Sequence, residues 1–221
     1  MRSILLFFNY YLLGIEAASA VVGLILVRKS WPSWYRLLVI LCCATIVSEV
    51  YSYYRFLHHI HSRAHYNTWA PLETFLVVYI LFRETTLRWS RRLSMSLLIL
   101  LPVTLVIAFM LPPGFAQPNM YADTAELLIM LVAACAVLID VLHDMSGASL
   151  YANPAFWLAL GILVSSSLFT LTIVIRSFVS REVFIYLNSP FSVIANTFMY
   201  GGFIVCFWTL RKEDKRNGVI K

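Results

Sequence analysis

Glu16, Glu49, Glu73 and Arg176 are ionisable residues set inside stretches that are otherwise apolar. An ionised side chain in hydrocarbon is costly unless it has a partner, so such residues mark proton relays, ion pathways or ligand sites by default. The carboxylates outnumber the arginine. Arg176 can serve as counter-ion to one or two of them, and any other must then carry a proton or hold a cation.

Helical spacing sorts the polar residues into stripes, because positions three, four, seven and eleven apart share a face. Asn9, Glu16, Ala20 and Gly23 form one stripe, Glu49 with Ser52 and Tyr53 a second. Gly161, Ser165, Thr172 and Arg176 form a third, Ser192, Asn196 and Tyr200 a fourth. Turned inward, these faces predict an outward-facing acidic pocket lined by Glu16, Glu49, Glu73, Arg176 and Asn196, with Tyr53 and Asn67 as further ligand- or proton-binding residues. The competing reading makes the same groups interhelical glue, worth about 1 kcal/mol each. Glu126 stands beside Asp123 near a helix start, where a carboxylate favours the helix dipole, and is the weaker candidate. Asp140, His143 and Asp144 fall at the inner end of their segment and read as interfacial.

Histidines invite a metal. His58, His59, His61 and His65 crowd one loop, and His61 with His65 would share a helical face as a zinc pair does. Arg55 and Arg63 beside them would repel a cation, so no metal site is expected, and the loop reads as a solvated one that titrates near neutral pH. Enzyme signatures are lacking. The Ser165–Ser167 run has no G-x-S-x-G context, and no histidine stands at matching depth to act as its base. Neither a catalytic site nor a cofactor is expected.

The elements that must hold these residues follow from composition. The 221 residues are 61% hydrophobic and 13% charged, and the mean hydropathy is +0.79, outside the soluble globular range. Seven segments have roughly the length a bilayer requires, near 4–27, 35–57, 67–83, 94–112, 123–143, 155–178 and 189–210. They predict an all-α polytopic membrane protein, one domain over 1–221. Strand-length alternation is absent, which disfavours a membrane barrel. A signal peptide ending near Ala18-Ser19-Ala20 is rejected, since the chain stays apolar to Val27. Cys42, Cys43, Cys135 and Cys206 all lie in apolar segments without metal spacing and read as small hydrophobes.

The net charge of +6 follows the loops rather than forming a nucleic-acid surface. Seven crossings would put twelve of the seventeen Lys and Arg on one side. The positive-inside rule then places the N-terminus outside and the C-terminus in the cytoplasm, as expected for an inner-membrane protein. The basic stretch Arg88–Arg92 and the tail from Arg211 read as topology determinants that touch anionic lipid.

Ala17–Val21 echoes Ala133–Val137, and Glu73-Thr74-Phe75 echoes Asn196-Thr197-Phe198. These echoes suggest a parallel repeat of three helices, one linker helix and three more. That plan resembles the SWEET and PQ-loop transporters and, more loosely, the opsin-like seven-helix group. It does so without their motifs, because the chain has no Pro-Gln pair and no lysine in its seventh segment. The Tyr66-Asn67 and Pro71-Leu72-Glu73 stretch is similar to uncharacterised seven-helix proteins of bacteria, which imply a class but no activity. The expected function is binding and transport of a small solute or cation, coupled to protons. The alternative is a sensory or accessory subunit, receptor-like, that signals to a membrane or cytoplasmic partner protein.

Overall fold

The computed structural model describes residues 2–58, 64–111, 115, 119–144, 150–176 and 178–216. They form seven α-helices and one short 3₁₀ turn, with no strand among them. The helices are α1 (Arg2–Leu26), α2 (Ser33–Leu57), α3 (Ala64–Glu84), α4 (Arg88–Met110), α5 (Met120–His143), α6 (Pro154–Arg176) and α7 (Arg181–Arg216). Their composition explains them. Long apolar runs form helices where the backbone must satisfy its own hydrogen bonds, and this requirement overrides the modest helix propensity of the many β-branched and aromatic residues.

Among the described residues, five helices are long and apolar enough to cross a membrane. They are α2 over Ser33–Arg55, all of α4, α5 and α6, and α7 over Pro190–Arg216. α1 adds a shorter apolar stretch, Tyr10–Leu26. α3 is not among the five, because His65, Asn67, Thr68, Glu73 and Thr74 dilute its apolar content.

α4 and α7 start six and eight residues before the expected segments, and α3 and α5 three. α3 begins at Ala64 and α7 at Arg181, which puts Pro71 and Pro190 inside helices. A proline forfeits one hydrogen bond to the preceding turn without forbidding that turn, which is tolerated where neighbouring helices support it. α4 begins at Arg88, so the basic stretch expected in a loop forms its first turns.

Local signals fix two other starts. The Asn119 side chain accepts from the N–H groups of Tyr121 at 3.0 Å and Ala122 at 3.2 Å, capping α5. Its amide nitrogen donates to the Ala108 carbonyl at 2.7 Å and so ties α5 to the end of α4. Asn153 accepts from the Ala155 N–H at 2.9 Å, and Pro154 fills the first position of α6, where no donor is needed.

The helices pack in a closed circuit, α1–α2–α3–α5–α6–α7, with α7 returning to α1. α4 lies outside it, against α3 and α5. α3 touches four other helices, and its buried stripe runs through Asn67, Thr74, Val77, Val78, Ile80 and Leu81. α6 and α7 make the closest approach. A Cβ on Gly161 would stand 2.7 Å from the Phe198 carbonyl oxygen, and one on Gly202 would stand 2.7 Å from that of Trp157. Gly161 therefore serves backbone contact between α6 and α7.

Candidate functional site

Four carboxyls from four helices form an electrostatic chain. Glu16 of α1 interacts with Glu49 of α2 and Glu73 of α3, Glu73 interacts with Glu49, and Glu126 of α5 interacts with Glu73. Tyr200 of α7, 3% exposed, sits in the field of Glu73, Glu16 and Glu49. The circuit of helices accounts for the meeting, since α1, α2 and α3 pack in succession and α7 returns to α1.

Glu16 is 6% exposed, and its Oε2 is buried without a hydrogen-bond partner among the described residues. Such an oxygen forfeits its hydration with nothing in exchange, unless a proton or an ion occupies it. The Glu73 carboxyl faces donors on Trp69, Thr45 and Tyr200, although the Trp69 indole N–H stops short of hydrogen-bond geometry. The Thr45 hydroxyl also donates to its own helix at Leu41, 3.1 Å away. Glu126 is buried and accepts from Thr74 Oγ1 at 3.3 Å.

The expected site residues divide. Glu16, Glu49 and Glu73 are brought together. Arg176 is exposed, with its guanidinium 5.7 Å over the Phe184 ring and no ion pair to a described carboxylate. Asn196 donates its amide N–H to the Ser192 carbonyl at 3.0 Å. The Tyr53 hydroxyl meets that of Tyr10 at 3.4 Å. Asn67 is buried and donates to the Phe115 carbonyl.

His61 lies outside the described residues. His65, in the first turn of α3, shares a hydrogen bond of 2.9 Å with Ser48, stands edge-on to Tyr51 and interacts with Glu49. It therefore belongs to the α2–α3 contact. Among the described residues, no group of three or more His, Cys, Asp or Glu could hold a metal ion.

Three residues mattered more than sequence reasoning allowed. Glu126 was set aside as a helix-start carboxylate. Tyr200 shared the Asn196 stripe without being singled out. Asp140, read as interfacial, is 2% exposed, and its Oδ2 accepts from the N–H groups of Thr86 at 2.7 Å and Leu87 at 3.2 Å. It caps α4 from another helix, because Leu87 at the N-cap has no acceptor of its own. A carboxylate placed just short of a helix-length segment's end was the available signal in each acidic case.

No protein-family model matches the chain, and neither a curated protein nor a solved structure is similar to it. Fold and composition define the class: the described residues are helical, and five of their helices are long and apolar enough to cross a membrane.

Proposed function

We propose that the protein binds a small solute or cation at Glu16, Glu49 and Glu73 and moves it across the inner membrane with proton coupling. One observation carries this reading. Three carboxyls from three helices act electrostatically on one another and on Tyr200, and no described lysine or arginine interacts with them. Carboxyls that feel one another's charge in a largely apolar setting are neutralised by protons or a cation, so occupancy and protonation are linked. Glu126 extends the chain to α5 as a further relay position.

The reading takes α1 and α3 as two further spans, making seven, with the N-terminus outside and the C-terminus in the cytoplasm. The place of α4, outside the circuit and between α3 and α5, supports two triplets joined by a linker helix.

A second reading, a receptor-like or accessory subunit, draws support from α7. Its 36 residues run unbroken. At 1.5 Å per residue such a rod spans about 54 Å, well beyond the hydrocarbon thickness. It could carry an outer binding event to a partner protein on the inner side.

Reconstitution into liposomes separates the two. Transport predicts solute or proton flux that varies with pH, and Glu73→Gln abolishes the variation while membrane insertion is kept. An unchanged pH profile in that variant rules out the acidic site. Sealed vesicles that still bind solute select the receptor reading.

A further inference from the structure

At the opposite end of α3 from Asn67, an open groove of about 700 Å³ lies between the last turns of α3 and the first turns of α4. Phe82, Arg88, Arg91, Arg92, Met95 and Ser96 line it. Its charge is one-sided. Three arginines face one space, and among the described residues none makes an ion pair with a carboxylate. Arg91 lies with its guanidinium 5.6 Å over the Phe82 ring, which leaves the edge N–H groups of that planar cation free to donate.

A carboxylate already sits at the start of α4, where Asp140 takes the N–H groups of Thr86 and Leu87, so the helix end alone is a poor anion site. The pull comes from the guanidiniums. Ser96 turns its hydroxyl onto the Arg92 carbonyl at 3.0 Å, so its oxygen adds no donor to the groove.

The other end of the groove is apolar and opens onto an outward-facing stripe of α4. Met95, Ile99, Val103 and Val106 are 49%, 61%, 50% and 55% exposed, at spacings that keep them on one face. Trp89, 46% exposed, stands at the basic end, where an indole marks a membrane interface. A ligand fitted to this surface has an anionic head and a hydrocarbon tail along the helix axis. A soluble anion would use the arginines and leave the apolar stripe without a role.

We propose that this groove is a binding site for an anionic glycerophospholipid, with Arg88, Arg91 and Arg92 holding the phosphodiester and Met95 and Ile99 supporting an acyl chain. Guanidinium groups suit a phosphodiester because they donate in pairs. Basic pockets of this kind recur where transmembrane helices meet the anionic leaflet. The site is separate from the acidic cluster and stands whether the protein transports or senses.

Native mass spectrometry of the full-length protein in neutral detergent tests it, titrating phosphatidylglycerol and phosphatidylcholine separately. Replacing Arg88, Arg91 and Arg92 together by Gln is expected to weaken phosphatidylglycerol binding by about tenfold or more and to leave phosphatidylcholine unchanged. The triple replacement by Lys keeps the charge that sets topology and removes the paired donors, and it is expected to weaken binding about threefold. Arg211→Gln with Arg216→Gln, at the other basic end, is expected to leave binding within about twofold. Equal binding of the two lipids overturns the proposal, as does unchanged affinity in the Lys triple, which decides the matter if the Gln triple fails to insert. Displacement of phosphatidylglycerol by an equal concentration of inorganic phosphate also overturns it, by making the site one for free anions.

Discussion

Gly161 and Gly202 face each other across α6 and α7, and a Cβ added to Gly202 would come within 3.0 Å of the Gly161 Cα. Between helices in lipid, where no hydrophobic force drives association, packing this close supplies the dispersion contact that holds the pair together.

Gly161→Ala or Gly202→Ala must therefore push the helices apart. The expected loss is about 1 to 3 kcal/mol of stability, read as a lower unfolding temperature in detergent. Gly14→Ala and Gly201→Ala are the controls, since nothing lies within 4 Å of a Cβ at either position. They are expected to be neutral or slightly stabilising, because alanine is the better helix former. Equal losses at all four positions would refute the packing account.

Asp140→Ala leaves the N–H groups of Thr86 and Leu87 without their acceptor. A cost of about 1 to 3 kcal/mol is expected, with faster amide exchange confined to the start of α4. Asp140→Asn keeps an acceptor oxygen and is expected to lose less. Identical behaviour of the two variants would mean that the capping bonds do not carry the effect.

Glu84 follows the third expected segment. Burial pushes its carboxyl up from the ordinary value, while the Trp34 N–H, which donates to it, and the nearby Tyr35 hydroxyl pull it down. Burial prevails. With the folded value above the unfolded one, the contribution of Glu84 to stability is present at low pH and lost as pH rises through the folded value. Glu84→Gln should thus gain stability relative to the parent as pH rises above the ordinary carboxyl value. A difference that stays flat with pH, measured by thermal unfolding, would contradict this.

Trp31 Nε1 donates to Asp214 Oδ2 at 2.8 Å, and Ser30 Oγ donates to the same oxygen at 3.3 Å. These bonds tie the end of α7 to the connection between α1 and α2. Trp31→Phe is expected to speed tryptic cleavage at Arg211 to Arg216 several-fold, since protease reaches a helix end in proportion to its fraying. In inside-out vesicles that cleavage also reports which side the tail occupies. Unaltered cleavage would show that the tie does not restrain the helix.

Helix positions were legible in the residues because apolar length and turn chemistry are local. Asn119 and Asn153 mark starts that follow from short-range bonding, and α5 and α6 begin within three residues of the expected segments. Pro71 and Pro190 lie inside α3 and α7, since proline costs one hydrogen bond and the surrounding packing decides whether the helix ends there.

From the amino-acid order alone came the helical class and the choice of Glu16, Glu49 and Glu73 as acids needing company, whereas the stripes turned inward only in part, leaving Tyr53 and Arg176 exposed. Tertiary structure decided which company each one keeps. Spacing along a helix says which residues share a face, but not which neighbour that face meets or how the helix is rotated against it. Glu126 thereby gained Thr74, from 52 positions earlier in the chain. Asp140 gained the backbone of the α3–α4 connection, and Gly161 gained the backbone of α7. Arg176 lies at the end of α6 where its chain is exposed, so the counter-ion expected from charge counting is spent on an aromatic face.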